Sequence, residues 1–110
     1  MANKYLRKAL IPSAATATDM YTVPEANTGI IKSLRVTNDS AARSSIYVSQ
    51  YSAGSAEEHL LTNGFVLPVG ASFDLFNGVS CVLEAGDKLT VKSSQADVTF
   101  YLSYLEVDRT

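Results

Sequence analysis

The chain has one cysteine, Cys81, one histidine, His59, and no tryptophan. One thiol closes no intramolecular disulfide, and one thiol with one imidazole cannot form a Cys/His zinc cage, so disulfide scaffolds and structural zinc modules are excluded. Positive charge is also short. Nine Lys and Arg stand against eleven Asp and Glu, and the signs alternate along the chain, so no basic run is available to displace counterions from a phosphate backbone. Nucleic acid is therefore not expected as a partner. No apolar run reaches the ~18 to 20 residues that span a bilayer, and the start, Met1 to Lys8, carries the charge of a secretory signal without its apolar stretch. Synthesis in a cytoplasm and no membrane association follow as expectations.

What is present is apolar enough to fold unaided. With 110 residues, 46% hydrophobic and 18% charged, the sequence is too apolar for disorder and long enough for one core, so residues 1–110 read as a single domain.

Helical periodicity is absent, while short alternating runs rich in Val, Ile, Thr, Tyr and Phe recur between Gly, Pro, Asn and Asp. A run from Tyr5 stops before Pro12, and the small, polar residues 13–18 follow as an exposed connection or edge. Residues 1–18 read either as a first strand or as an N-terminal arm laid on a neighbour's sheet edge. After a short run from Asp19 to Val23, the segment Ile30 to Asn38 sets Ile30, Leu34 and Val36 on one face and Ser33, Arg35 and Thr37 on the other. That alternation also puts Lys32 on the apolar face, where it has to snorkel.

Ile46 and Val48 alternate with Tyr47, Ser49 and Tyr51. Ser55 to Leu61 has the form of a capping box with room for a turn of helix or a short strand. Asn63-Gly64 reads as a turn, and the short runs Phe65 to Leu67 and Ser72 to Phe76, the latter ending at Asn77-Gly78, read as a sheet-changing corner. Val79 to Leu83, the turn Glu84-Ala-Gly-Asp87 and Lys88 to Lys92 read as a hairpin whose glycine supplies a left-handed residue. The last run, Asp97 to Val107, alternates Val98, Phe100, Leu102 and Tyr104 with Thr99, Tyr101, Ser103 and Leu105, as a central strand does. Eight to nine strands at this spacing predict an all-β, jelly-roll-like antiparallel β-sandwich.

Catalytic chemistry finds little support. A nucleophile needs a base beside it, and the sole candidate pair is Cys81 with His59; Cys81, among Val79, Val82 and Leu83, reads more simply as a small core residue. A metal-binding barrel enzyme needs several histidines. Asp39, Glu84, Asp87 and Asp97 lack the regular acidic spacing of a calcium loop and read as solvated turn carboxylates. No enzyme activity and no cofactor are expected. The tyrosines Tyr47, Tyr51 and Tyr101, with Tyr5 and Tyr21, suit a protein surface or a sugar. Leu105 and Val107, opposite the core-facing set of the last strand, add to a contact face. Tyr47, Tyr51, Tyr101 and Leu105 are thus the candidate interaction residues.

The stretches from Thr22 to Asn38 (TVPEANTGIIKSLRVTN) and Val82 to Val91 (VLEAGDKLTV), with the closing strand Thr99 to Val107, resemble small structural proteins of tailed bacteriophages over about residues 20 to 107. The resemblance implies a virion component. It would be a decoration or cement protein that binds the outer surface of the phage head and stabilises it, or a tail, neck or fibre module. It also implies self-association as a homotrimer, contact with the major capsid protein or another virion protein, and residence in the virion after synthesis in the host cytoplasm. A carbohydrate-binding sandwich that uses the tyrosines is the remaining alternative.

Overall fold

A computed structural model of the chain describes residues 3–77 and 79–108; Met1, Ala2, Gly78 and the last two residues, and with them the start of the proposed arm and half of the Asn77-Gly78 turn, lie outside the described residues. The described residues form nine strands: β1 (Asn3–Leu10), β2 (Thr18–Thr22), β3 (Asn27–Asn38), β4 (Ser44–Ser52), β5 (Glu57–Leu67), β6 (Ser72–Asp74), β7 (Cys81–Leu83), β8 (Lys88–Ser93) and β9 (Val98–Asp108).

All pairings are antiparallel. One sheet runs β1-β9-β3-β6, with β7 also on β3, and the other runs β2-β8-β4-β5. With β6 and β7 counted as one interrupted strand, the pairs are nested: first with last, second with second-last, and so inward to the β4-β5 hairpin. A long hairpin folded over itself in this way, with β9 closing on β3 and β8 on β4, is a jelly roll, which meets the expectation from strand spacing.

Alternation decides what lies between the sheets. In β9, Val98, Phe100 and Leu102 are fully buried; in β4, Ile46 and Val48; in β8, Leu89 and Val91. With Met20, Val23, Ile31, Leu34, Val36 and Leu83 they fill the core, and Leu10, Phe73 and Tyr104 pack around it.

A buried polar side chain gathers the loops at each end of the sandwich. Asn38 donates from Nδ2 to the carbonyls of Ala42 (3.0 Å) and Leu67 (2.9 Å), and its Oδ1 accepts from the Ser40 amide (3.0 Å) and hydroxyl (2.6 Å). At the other end Asp87 accepts from the amides of Ala53 (2.9 Å) and Glu84 (3.0 Å), while its carbonyl takes the Val23 amide (2.9 Å). Three loops therefore converge on Asp87. Gly86 at φ +84° makes the turn possible.

Several sequence expectations need correction. The buried isoleucine is Ile31 and not Ile30, because a β-bulge between Ile31 and Ser33 lets Lys32 project into solvent and reverses the alternation upstream. Asn63-Gly64 is no turn: β5 continues through it, and Gly64 at φ +80° supplies the extra residue where Phe65 opposes Ile46 and Asn63 opposes Tyr47. Of the two readings of Ser55 to Leu61, the strand holds and the helical turn does not, since β5 begins at Glu57. The turn Glu84 to Asp87 does not close a hairpin either, because β7 lies on β3 in one sheet and β8 joins β2 and β4 in the other. Leu67 to Ser72 does cross between sheets, as read.

Asp74 ties the β6 edge to β3. Burial alone would push its carboxyl pKa up, but the Ser33 hydroxyl and the amides of Asn77, Phe76 and Leu34 all donate to it and together hold it below the ordinary 3.8. A depressed carboxylate stabilises the fold above its unfolded pKa, and that contribution is lost as pH falls through the folded value. Denaturant midpoints measured from about pH 5 down to about pH 2 are expected to fall more steeply for the native chain than for Asp74→Asn.

Candidate interaction surface

The register of the five-stranded sheet carries a row of apolar side chains across its outer face. Tyr5 on β1 lies opposite Leu105 on β9, Leu105 opposite Ile30 on β3, and Ile30 opposite Val82 on β7. Tyr5 is 79% exposed and Val82 62%, while Ile30 and Leu105 are half-buried by their neighbours. Strands about 4.8 Å apart make this a strip roughly 15 Å long. Tyr101, opposite Ala9 and Arg35, extends the apolar surface along β9. A shallow recess there is lined by Tyr5, Arg7, Lys32, Tyr101 and Ser103. Apolar side chains in register with a cationic rim are the composition of a protein contact, with a dry centre and a wet border.

The opposite face of the sandwich differs. Tyr47 and Tyr51 project outward from β4, but Lys92 Nζ stands 4.5 Å from the Tyr47 ring centroid and Lys88 Nζ 5.7 Å from that of Tyr51. Lys88 also pairs with Asp19 at 3.7 Å, Thr90 donates to Asp19 at 3.0 Å, and Ser49 donates to Glu58 at 3.2 Å. A groove of about 250 Å³ runs beside Tyr47, Ser49, Leu60 and Lys92. The tyrosine faces here are occupied by ammonium groups, which leaves less ring surface for a sugar.

The four candidate residues therefore divide. Tyr101 and Leu105 lie on the outer face of the five-stranded sheet, and Tyr47 and Tyr51 on the outer face of the other. Tyr21, read as exposed, is buried: its ring packs on Tyr104 with centroids 4.3 Å apart and its hydroxyl donates to Glu106 Oε2 at 2.7 Å. Burial, then the bond to Glu106, pushes its phenol far above the ordinary value. Gly29 makes room for it, since a Cβ there would come within 3.0 Å of the Tyr21 ring and hydroxyl. Ile30 and Val82 went unread as surface residues. For Val82 the signal was available, because it alternates with Cys81 and Leu83; for Ile30 the bulge concealed it.

The residues with chemical potential are scattered. His59 stands on β5 and Cys81 on β7, in different sheets. Burial pushes the Cys81 thiol up, the reverse of what a nucleophile needs. Asp39 and Asp97 meet at one end, where the Asp39 amide donates to the Asp97 carbonyl at 3.1 Å, and Glu84 and Asp87 lie at the other. Among the described residues no three His, Cys, Asp or Glu side chains come together as a metal site.

Comparison with known proteins yields no matching family model and no match among curated proteins. Solved structures do match in fold. A chain of the Bacillus endospore appendages, described as disulfide-linked pili, superposes with a TM-score of 0.59 at 14% identity over 99% of this chain and 88% of that one. A chain of the T13 IBDV viral particle gives 0.58 at 7% identity over 94% of this chain, which spans 30% of that chain's length. A pentameric capsid protein from metagenomic phage sequences gives 0.42 at 21% identity, covering 91% of this chain and 58% of that one. At these identities the first two likenesses are of fold alone.

If the apolar row is a contact surface, Val82→Asp should leave the unfolding midpoint nearly unchanged, within about 0.5 kcal/mol, as expected of an exposed position. It should weaken self-association or partner binding measured by analytical ultracentrifugation. Equal association by both proteins would remove the row from consideration.

Proposed function

We propose that this chain is a non-enzymatic structural protein of a virus particle, a decoration or cement protein that binds the outer surface of a phage head and stabilises it. The observation that carries the reading is the row Tyr5, Leu105, Ile30 and Val82, an apolar strip across the outer face of the five-stranded sheet suited to a protein neighbour. A jelly roll is closed in its core and regular on its faces, so it meets neighbours through sheet faces and loops and does not need a pocket. Its fold likeness to a chain of the T13 IBDV viral particle supports the same direction, as does the phage-like pattern of residues 20 to 107.

The mechanism is multivalent binding. A small contact repeated over a symmetric lattice gains avidity that no single contact has, so modest apolar area per copy suffices. The natural partners are the major capsid protein and other copies of this chain, in a homotrimer at a threefold position, with residence on the virion after synthesis in the host cytoplasm.

A second reading has its own support. The fold likeness to a subunit of the Bacillus endospore appendages covers nearly all of both chains, and a fibre or tail module would use the same sheet face to join successive copies. Copy number per particle separates the two, since a head lattice takes many more copies than a tail or neck. Purified protein added to heads that lack it is expected to rebind and to raise their resistance to heat or chelators. Failure to rebind would contradict the decoration role.

A further inference from the structure

The nested pairing places β1 at an edge, where among the described strands it pairs only with β9. Its eight residues make a full antiparallel ladder, from Asn3 opposite Val107 to Leu10 opposite Phe100. Yet the side chains from Lys4 to Ala9 are all exposed, Leu10 packs against the core, and none of residues 4–10 belongs to the buried set. The remaining strands keep both layers of the core without it. What β1 contributes is therefore backbone hydrogen bonding to the edge of β9, and any second copy of the same strand offers the identical bonds.

The connection to β2 is under local strain. Residues 11–17 are exposed apart from Pro12, which is buried, and Thr18, at the start of β2, is half-buried. Within them the Thr16 amide donates to the Ser13 carbonyl at 3.2 Å, and Ala15, a residue with a Cβ, is held at φ 57°. That region disfavours a side chain, and short strained hinges are the feature that promotes exchange of terminal elements between copies. The Ala15 amide donates to the Ser93 carbonyl at 2.7 Å, which ties the closed hinge to the sandwich, and residues 13–16 are the joint.

We infer that β1 is exchanged between copies of this chain, each donating residues 3–10 to the β9 edge of a neighbour. In the exchanged form residues 13–16 run extended, the Ser13–Thr16 turn opens, and Ala15 returns to negative φ. The Ala15 bond to Ser93 is given up; Ala15 is exposed but Ser93 is buried, so this loss is a cost that the relief of Ala15 has to offset. The ladder on β9 is unchanged, so the balance is decided by the hinge and by the entropy of association. Pro12 travels with the strand and re-enters the corresponding site of the neighbour. The inference stands on the strand and its hinge and does not depend on the virion reading.

The test uses two full-length chains in a Cys81→Ser background, one with Tyr5→Cys and the other, carrying an affinity tag, with Leu105→Cys. These positions lie directly opposite in the β1-β9 ladder, within reach of a disulfide. The chains are unfolded together, refolded, oxidised and separated on a non-reducing gel. Exchange predicts a mixed 5–105 dimer in excess over both same-site dimers. Ala15→Gly in both chains, which removes the penalty on the closed hinge, should reduce that species about five-fold. Absence of the mixed dimer, or its formation only in proportion to the same-site dimers, would overturn the exchange. A mixed dimer whose yield ignores Ala15→Gly would overturn the hinge as its cause. An assembly that persists without the mixed dimer would remove the exchange and leave the proposed virion role standing.

Discussion

Every long strand except β1 and β5 has one continuous apolar row, and burying those rows against one another is the constraint on which the rest of the structure depends. Two sheets facing each other satisfy it for β2, β3, β4, β8 and β9 together, with Phe100, Leu102, Leu34 and Val48 at the centre. Nested antiparallel pairing then fixes which strand lies beside which, and the loops collect at two ends. Buried Asn38 gathers the loops at one end and buried Asp87 those at the other. Neither leaves a polar atom unpaired: among the described residues no buried side-chain nitrogen or oxygen lacks a hydrogen-bond partner.

The same constraint determines what faces outward. Once the inner rows are committed to the core, the alternate residues become surface by necessity, and their chemistry is free to vary. On the four-stranded sheet that surface joins Tyr, Lys, Asp, Ser and Glu in paired contacts beside the exposed Leu60 of β5. On the five-stranded sheet it is an apolar row with exposed ends, Tyr5 and Val82, and half-buried middle members, Leu105 and Ile30. The apolar row on the five-stranded sheet is the surface on which the proposed association rests.

Much of this was legible from residue order. Strand type and number follow from period-2 runs, and β9 is plain because Val98, Phe100 and Leu102 alternate without interruption. The misreadings share a cause. A bulge changes the count by one residue and leaves no mark in composition, so Lys32 and Gly64 each misled by a single position: one inverted the face of Ile30, the other looked like a turn. The turn at Glu84 to Asp87 has the same local chemistry whether it closes a hairpin or crosses between sheets, because Gly86 supplies the left-handed residue in both cases, and only the long-range partners of β7 and β8 decide. Alternation likewise tells inside from outside but not which outside, so Tyr47 and Tyr51 could not be separated from Tyr101 and Leu105. Tyr21 was misassigned because the space for its ring comes from Gly29, a neighbour in the fold and not in sequence.

The central claim is that this sandwich exists to associate through a sheet face. Light scattering of the purified full-length chain tests it most directly. The account predicts a closed oligomer, a whole-number multiple of 11.8 kDa, with three chains the expected count. A single-chain mass that persists as concentration is raised would contradict self-association and leave the apolar row without a partner of its own kind.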